Sequence, residues 1–216
     1  LHDRMIHYHN PGVSVAVIND FKIEWARGFG VCHSRYKGRV KTDTLFQAGS
    51  ISKPIFALGV MRLVQEGQLN LDEDVDRYLE TWHIPVNEGW RPKITLRHLL
   101  SHTSGLTVHG FPGYQVSEPL PNTTQVLDGE TPANTARVEV NILPGLQSRY
   151  SGGGITVAQQ ALVDFLKKPF PQIMREMVFE PLGLANSTYE QSLPKQWEKR
   201  TATAHPWKGI PLKGKH

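Results

Sequence analysis

Ser50 and Lys53 stand three residues apart at the head of an apolar run, Ile55-Phe56-Ala57-Leu58-Gly59-Val60-Met61-Arg62-Leu63-Val64. On a helix that spacing puts a hydroxyl and an amine side by side. A serine hydroxyl is a weak nucleophile at neutral pH and gains power from a neighbour that takes its proton. A run apolar on nearly every face predicts a helix buried all round, and burial disfavours an ammonium group. Pro54, tolerated only near a helix start, places the pair at the positive end of the helix dipole, which also disfavours ammonium and offers unpaired N–H groups to an oxyanion.

A third chemical group follows at Tyr150, ahead of Ser151-Gly152-Gly153-Gly154. The three glycines predict a loop of close backbone approach, with Tyr150 at its edge and its hydroxyl free to enter a cleft. Other constellations carry less. His98 and His102 are four apart and could share a helical face, but the acid of an H-E-x-x-H zinc site is missing. Asp72-Glu73-Asp74 lacks the glycine and distal glutamate of a calcium loop and reads as capping for a short helix. The single cysteine, Cys32, excludes an internal disulfide and reads as a packed small hydrophobe. No metal and no cofactor is expected.

The elements that must position these groups follow from composition and punctuation. With 39% hydrophobic and 20% charged residues, the 216-residue chain can bury a real core. No stretch approaches the ~18 apolar residues of a membrane span, and no signal-peptide pattern opens the chain, which begins with Leu1 rather than Met. The net charge of +4 belongs to the tail: residues 195–216 carry six cations against Glu198, leaving the first 194 at −1. Without an aromatic-interleaved basic stripe this predicts a solvated segment, not a nucleic-acid surface.

Val13–Ile18 and Phe21–Ala26, separated by Asn19-Asp20, predict a β-hairpin that needs a larger sheet to join. The serine helix should end near Gly67, and Ile94 to Leu106 reads as a short amphipathic helix capped by Thr95, with Gly105 beyond its end. Residues 107–135, rich in proline and glycine, read as a long loop of the kind that serves as a lid, a binding loop or a flexible segment. Ile155–Leu166 and Pro171–Phe179 read as helices. The triplets beginning at Asn122 and Asn186 match the glycosylation sequon, which matters only in a eukaryotic secretory setting. The expected partition is 1–66, strands and nucleophile helix; 67–194, mostly helical; and 195–216, a basic tail.

Taken in order, Pro11-Gly12 with its strand, Phe46 through Lys53, Gly67 through Asp72, Ile94 through Leu106 and Tyr150-Ser151-Gly152 resemble the serine hydrolases related to class C β-lactamases. That group includes penicillin-binding proteins, D-amino-acid peptidases and β-lactamase-like esterases. The resemblance implies an α+β fold of the β-lactamase/transpeptidase kind, an antiparallel sheet flanked by helices plus a mostly helical region. It implies Ser50 as the nucleophile that forms an acyl-enzyme, Lys53 as its proton acceptor, Tyr150 as the shuttle to the leaving group and the Ser50 N–H as one oxyanion donor. The substrate the resemblance implies is a small acyl compound: a β-lactam, a D-amino-acid peptide or a small ester.

Two departures qualify the resemblance. The tyrosine box of lactamases usually ends in Asn, and here Gly152 stands there as the substrate-binding candidate, which tilts the expectation toward esters and peptides. The family's third box, a Lys/His-Thr/Ser-Gly on a sheet-edge strand, is not found, and Lys213-Gly214-Lys215-His216 does not replace it. The chain is therefore expected to lack the C-terminal strands, with that segment absent or present as another chain, because a lone hairpin leaves its edges unpaired. The alternative function is a non-catalytic, penicillin-binding-like sensor or assembly protein using the same cleft. Members of the group are often exported, so the implied compartment is the periplasm or the exterior.

Overall fold

The computed structural model describes residues 1–36, 38–115, 117–206 and 209–213, so most of the Lys213 to His216 stretch lies outside the described residues. The chain forms two compact units, one of Leu1–Gly49 with Glu190 onward and one of Ser50–Tyr189.

The first unit opens with helix α1 (His2–His7) and the hairpin β1 (Gly12–Asn19) and β2 (Lys22–Gly30). The two strands pair antiparallel from Gly12 opposite Gly30 to Asn19 opposite Lys22, with an irregularity after Val17. The turn is Asp20-Phe21, one residue later than the sequence predicts. Both residues have positive φ (47° and 59°), as the twist of a two-residue hairpin requires. Among the described residues these are the two strands of the sheet. Leu45 pairs with the returning chain at Thr201, and Thr203 N donates to Cys32 O. The Cys32 thiol is partly buried and donates to Arg39 O at 3.4 Å. A short helix, Lys195–Glu198, completes this unit.

The second unit holds the large hydrophobic core. A 3-10 turn, Gly49–Ile51, leads into α2 (Ser52–Gln65), with Gly49 at φ 52°, a left-handed turn that delivers the chain to Ser50. The helix stops as the sequence predicts. Gly67 N bonds Val64 O and Gln68 N bonds Leu63 O, the double bond of a Schellman end. Its burial differs from the prediction: Phe56, Gly59, Val60 and Leu63 are buried, but Leu58 and Met61 are 49% and 44% exposed. The helix packs one face on α6 (Phe170–Met174) and the π-helical turn behind it (Arg175–Phe179), and is not buried all round.

Helix α3 (Leu96–Leu100) starts at the predicted cap, Thr95 Oγ1 accepting from His98 N, but ends well short of Gly105. His102 lies two residues beyond it at φ 57°, so His98 and His102 do not share a helical face. Residues 107–135 are not one long loop. Asn122 and Gln125 form a capping box that starts α4 (Thr123–Asp128), and Gly129 ends it. The acids at 72–74 are spent locally. Arg97 grips Asp72 at 2.7 and 2.8 Å, and Asp74, held by Arg91, caps the 3-10 turn Val75–Tyr78.

Helix α5 (Gly152–Leu166) is the centre of the core, packed against α3, α4, α6 (Phe170–Met174) and the turn at 75–78. The three glycines are its first turn rather than a loop. A Cβ on Gly153 would stand 2.8 Å from Val138 Cγ2 and 2.9 Å from Thr107 O. Gly153→Ala is therefore expected to destabilise the fold by about 1–2 kcal/mol, because an overpacking cost of ~1–3 kcal/mol exceeds the gain of ~1 kcal/mol in helix propensity. Urea unfolding of the variant against wild type checks it, and a stabilised variant would contradict it. The predicted second helix is present as α6 running into the π-helical turn Arg175–Phe179.

Candidate active site

Three of the four predicted residues meet. Ser50, exposed on the 3-10 turn, receives hydrogen bonds on its Oγ from Lys53 Nζ at 3.0 Å and from Tyr150 Oη at 2.7 Å. Lys53 Nζ also lies 5.0 Å from the centroid of the Tyr150 ring. Hydrogen bonding with Lys53, then with Ser50, together with the lysine charge, holds the Tyr150 phenol below its ordinary range against a smaller effect of burial. The phenolate that this lowering favours would be a base within direct reach of the serine proton.

Local structure explains the meeting. Spacing of three at a helix start aligns Ser50 with Lys53. Tyr189 Oη donates to Ser52 O at 2.6 Å, and its ring stacks on Phe179 with centroids 5.5 Å apart, fastening the first turn of α2. Burial pushes the Tyr189 phenol up to about 12, so that donor stays protonated. Tyr150 sits immediately before the α5 cap, where Ser151 Oγ accepts from Gly154 N at 2.8 Å and donates to Thr107 O at 2.7 Å.

Gly152 is placed differently from the other three. It is buried, its N–H donates to His109 O at 2.9 Å, and a Cβ there would meet His109 O and the Phe111 ring, each at 3.1 Å. Two residues enter that the sequence did not single out for this chemistry. The rings of His102 and His109 lie against the Tyr150 ring, with centroids 4.4 and 4.9 Å away. The pairing of residues 48 and 41 positions apart leaves no periodic signal. The sequence offers His102 only as a candidate metal ligand, and among the described residues no group of three metal-binding side chains assembles.

The profile of the protein family described as Beta-lactamase matches residues 1–213. Esterase EstB of Burkholderia gladioli is 39% identical over 95 residues, 44% of this chain and 24% of the esterase. A solved Beta-Lactamase/D-Alanine Carboxypeptidase from Pseudomonas syringae superposes with a TM-score of 0.72 at 28% identity, covering 100% of this chain and 56% of that one. EstCE1, described as a hydrolase with promiscuous acyltransferase activity, gives 0.73 at 28%, covering 97% and 56%. The chain thus spans about a quarter of the curated esterase and just over half of these solved chains.

Proposed function

The chain belongs to the Beta-lactamase family, and from that premise we propose that it hydrolyses an ester or amide through an acyl-Ser50 intermediate. The observation that carries the reading is the convergence of Lys53 Nζ and Tyr150 Oη on one serine oxygen. In the first half-reaction the Ser50 oxygen adds to the substrate carbonyl while its proton passes to the Lys53–Tyr150 pair. The oxyanion faces the Ser50 N–H at the positive end of α2. Tyr150 then returns the proton to the departing alkoxide or amine, and water releases the acid by the same steps in reverse. Within this class an ester is favoured, because Gly152 brings no side-chain amide to the site and 39% identity ties nearly half of the chain to an esterase.

The test is intact mass after incubation with a fluorophosphonate and, separately, with a penicillin, on wild type and on Ser50→Ala. The expected result is a single fluorophosphonate adduct on wild type and none on Ser50→Ala. An adduct that survives Ser50→Ala, or no adduct on wild type, overturns the assignment. A penicillin adduct would move the substrate class from esters to β-lactams.

A further inference from the structure

His102 holds three consecutive residues of the opposite wall. Its backbone carbonyl accepts from Arg149 N at 2.7 Å, its ring lies on the Tyr150 ring, and its Nδ1 accepts from Ser151 N at 3.3 Å. The residue does this from a left-handed backbone conformation, φ 57°, that few residues other than glycine adopt, histidine being among those enriched there with asparagine and aspartate. Such conformations persist where surrounding contacts over-determine them and cluster at functional sites. The role of acceptor also fixes the tautomer: the neutral ring carries its proton on Nε2.

We infer that His102 is a positioning residue, gripping Arg149, Tyr150 and Ser151 so that the Tyr150 hydroxyl stays on Ser50, and that a proton added to its Nδ1 opens the grip. The added proton would face the Ser151 N–H, turning an acceptor into a second donor. It would also place a charge near Lys53 from α2 and His109 from the 107–109 segment. The Arg149 guanidinium is turned away, onto Gly105 O and Asn141 Oδ1. Burial first, then the charges of Lys53 and His109, hold His102 below its ordinary range, so the grip is closed at neutral pH and opens in acid. The consequence for catalysis rests on the acyl-Ser50 reading. The geometry of the grip does not.

Two measurements on the full chain separate these. The first needs no activity: the Tyr150 phenol is titrated by difference absorbance between each protein and its Tyr150→Phe partner. In His102→Ala its midpoint is expected to rise toward the ordinary ~10 as Tyr150 leaves Ser50 and Lys53, and in His102→Asn to return toward wild type. Asparagine tolerates the left-handed backbone and offers an acceptor to Ser151 N. An unmoved midpoint in His102→Ala overturns the inference even if wild type never labels.

The second is the rate of fluorophosphonate labelling against pH. His102→Ala is expected to label about 10–100-fold more slowly at pH 7, as a displacement of about 1 Å from productive geometry costs, and His102→Asn to recover most of that loss. On the acid side, the slope of log rate against pH falls from about two in wild type to about one in His102→Asn, because one titrating group has gone. An unchanged slope overturns the proton-release step, and His102→Asn decides it if His102→Ala does not fold. Failure of wild type to label while the phenol titrations behave as expected would instead refute the acyl-Ser50 reading alone.

Discussion

Replacing Lys53 with Met is expected to slow acylation of Ser50 by about 10²–10⁴-fold, the range for loss of a positioned acid–base group. Two losses coincide in that substitution. The hydrogen bond from Nζ to Ser50 Oγ disappears, and so does the charge 5.0 Å from the Tyr150 centroid. A cation beside a phenol favours the phenolate, so the midpoint that Lys53 holds down rises toward the ordinary ~10 when it is removed. The working form of Tyr150 is then scarcer at pH 7, and the acid limb of the rate profile moves to higher pH. Methionine keeps the stem length, so packing changes little. Lys53→Arg keeps the charge, and with it the position of the limb, while the rate lost through the missing proton acceptor stays lost. Fluorophosphonate labelling between pH 6 and pH 10 reads both quantities. A Lys53→Met protein that labels at the wild-type rate would remove the lysine from the mechanism.

Asp164→Ala carries the largest expected effect on stability, about 3 kcal/mol or more, because it strands several buried donors at once. The Asp164 carboxylate is buried on α5 and accepts from Glu80 N at 2.8 Å, Thr81 N at 3.0 Å and Gln160 Nε2 at 2.9 Å, with the Thr81 hydroxyl as a further donor. Burial alone pushes this carboxyl up, but those hydrogen bonds outweigh it and the net direction is down. A folded value below the unfolded ~3.9 means the contribution is fully present above about pH 4 and is lost as pH falls through the lowered value. Urea unfolding of wild type and variant should therefore differ most near neutrality and converge in acid. A gap that persists unchanged at pH 3 would place the cost in lost packing rather than in the carboxylate.

Local chemistry was legible in the sequence and long-range chemistry was not. The hydroxyl–amine spacing of Ser50 and Lys53, the Gly67 stop and the Thr95 cap each depend on residues within one or two turns. Short apolar runs and cap residues report such features directly. Helix α4 was readable too, since Asn122, Gln125 and Gly129 spell a start and a stop, but proline and glycine around it masked the signal. The glycines at 152–154 mislead because their presence answers a crowding problem, the approach of Thr107 O and Val138, that only the folded chain reveals. His102 and Asp164 are illegible for the same reason. Their partners lie 48 and 83 residues away, and neither residue type announces whether it will bind a ring, a metal or a backbone amide.

The first amides of a helix are ordinarily the quickest to fray, having no carbonyl one turn behind them. In α5 those of Gly152 and Gly153 are instead taken up by the carbonyls of His109 and Val108, and Val108 sits at φ 60°, seldom occupied by a β-branched residue. The loop and the start of the helix share these bonds and are therefore expected to open as one cooperative unit, seen as joint hydrogen exchange of the two amides. When that unit opens, both amides become exchangeable with solvent and the backbone beside Tyr150 is loosened in the same event.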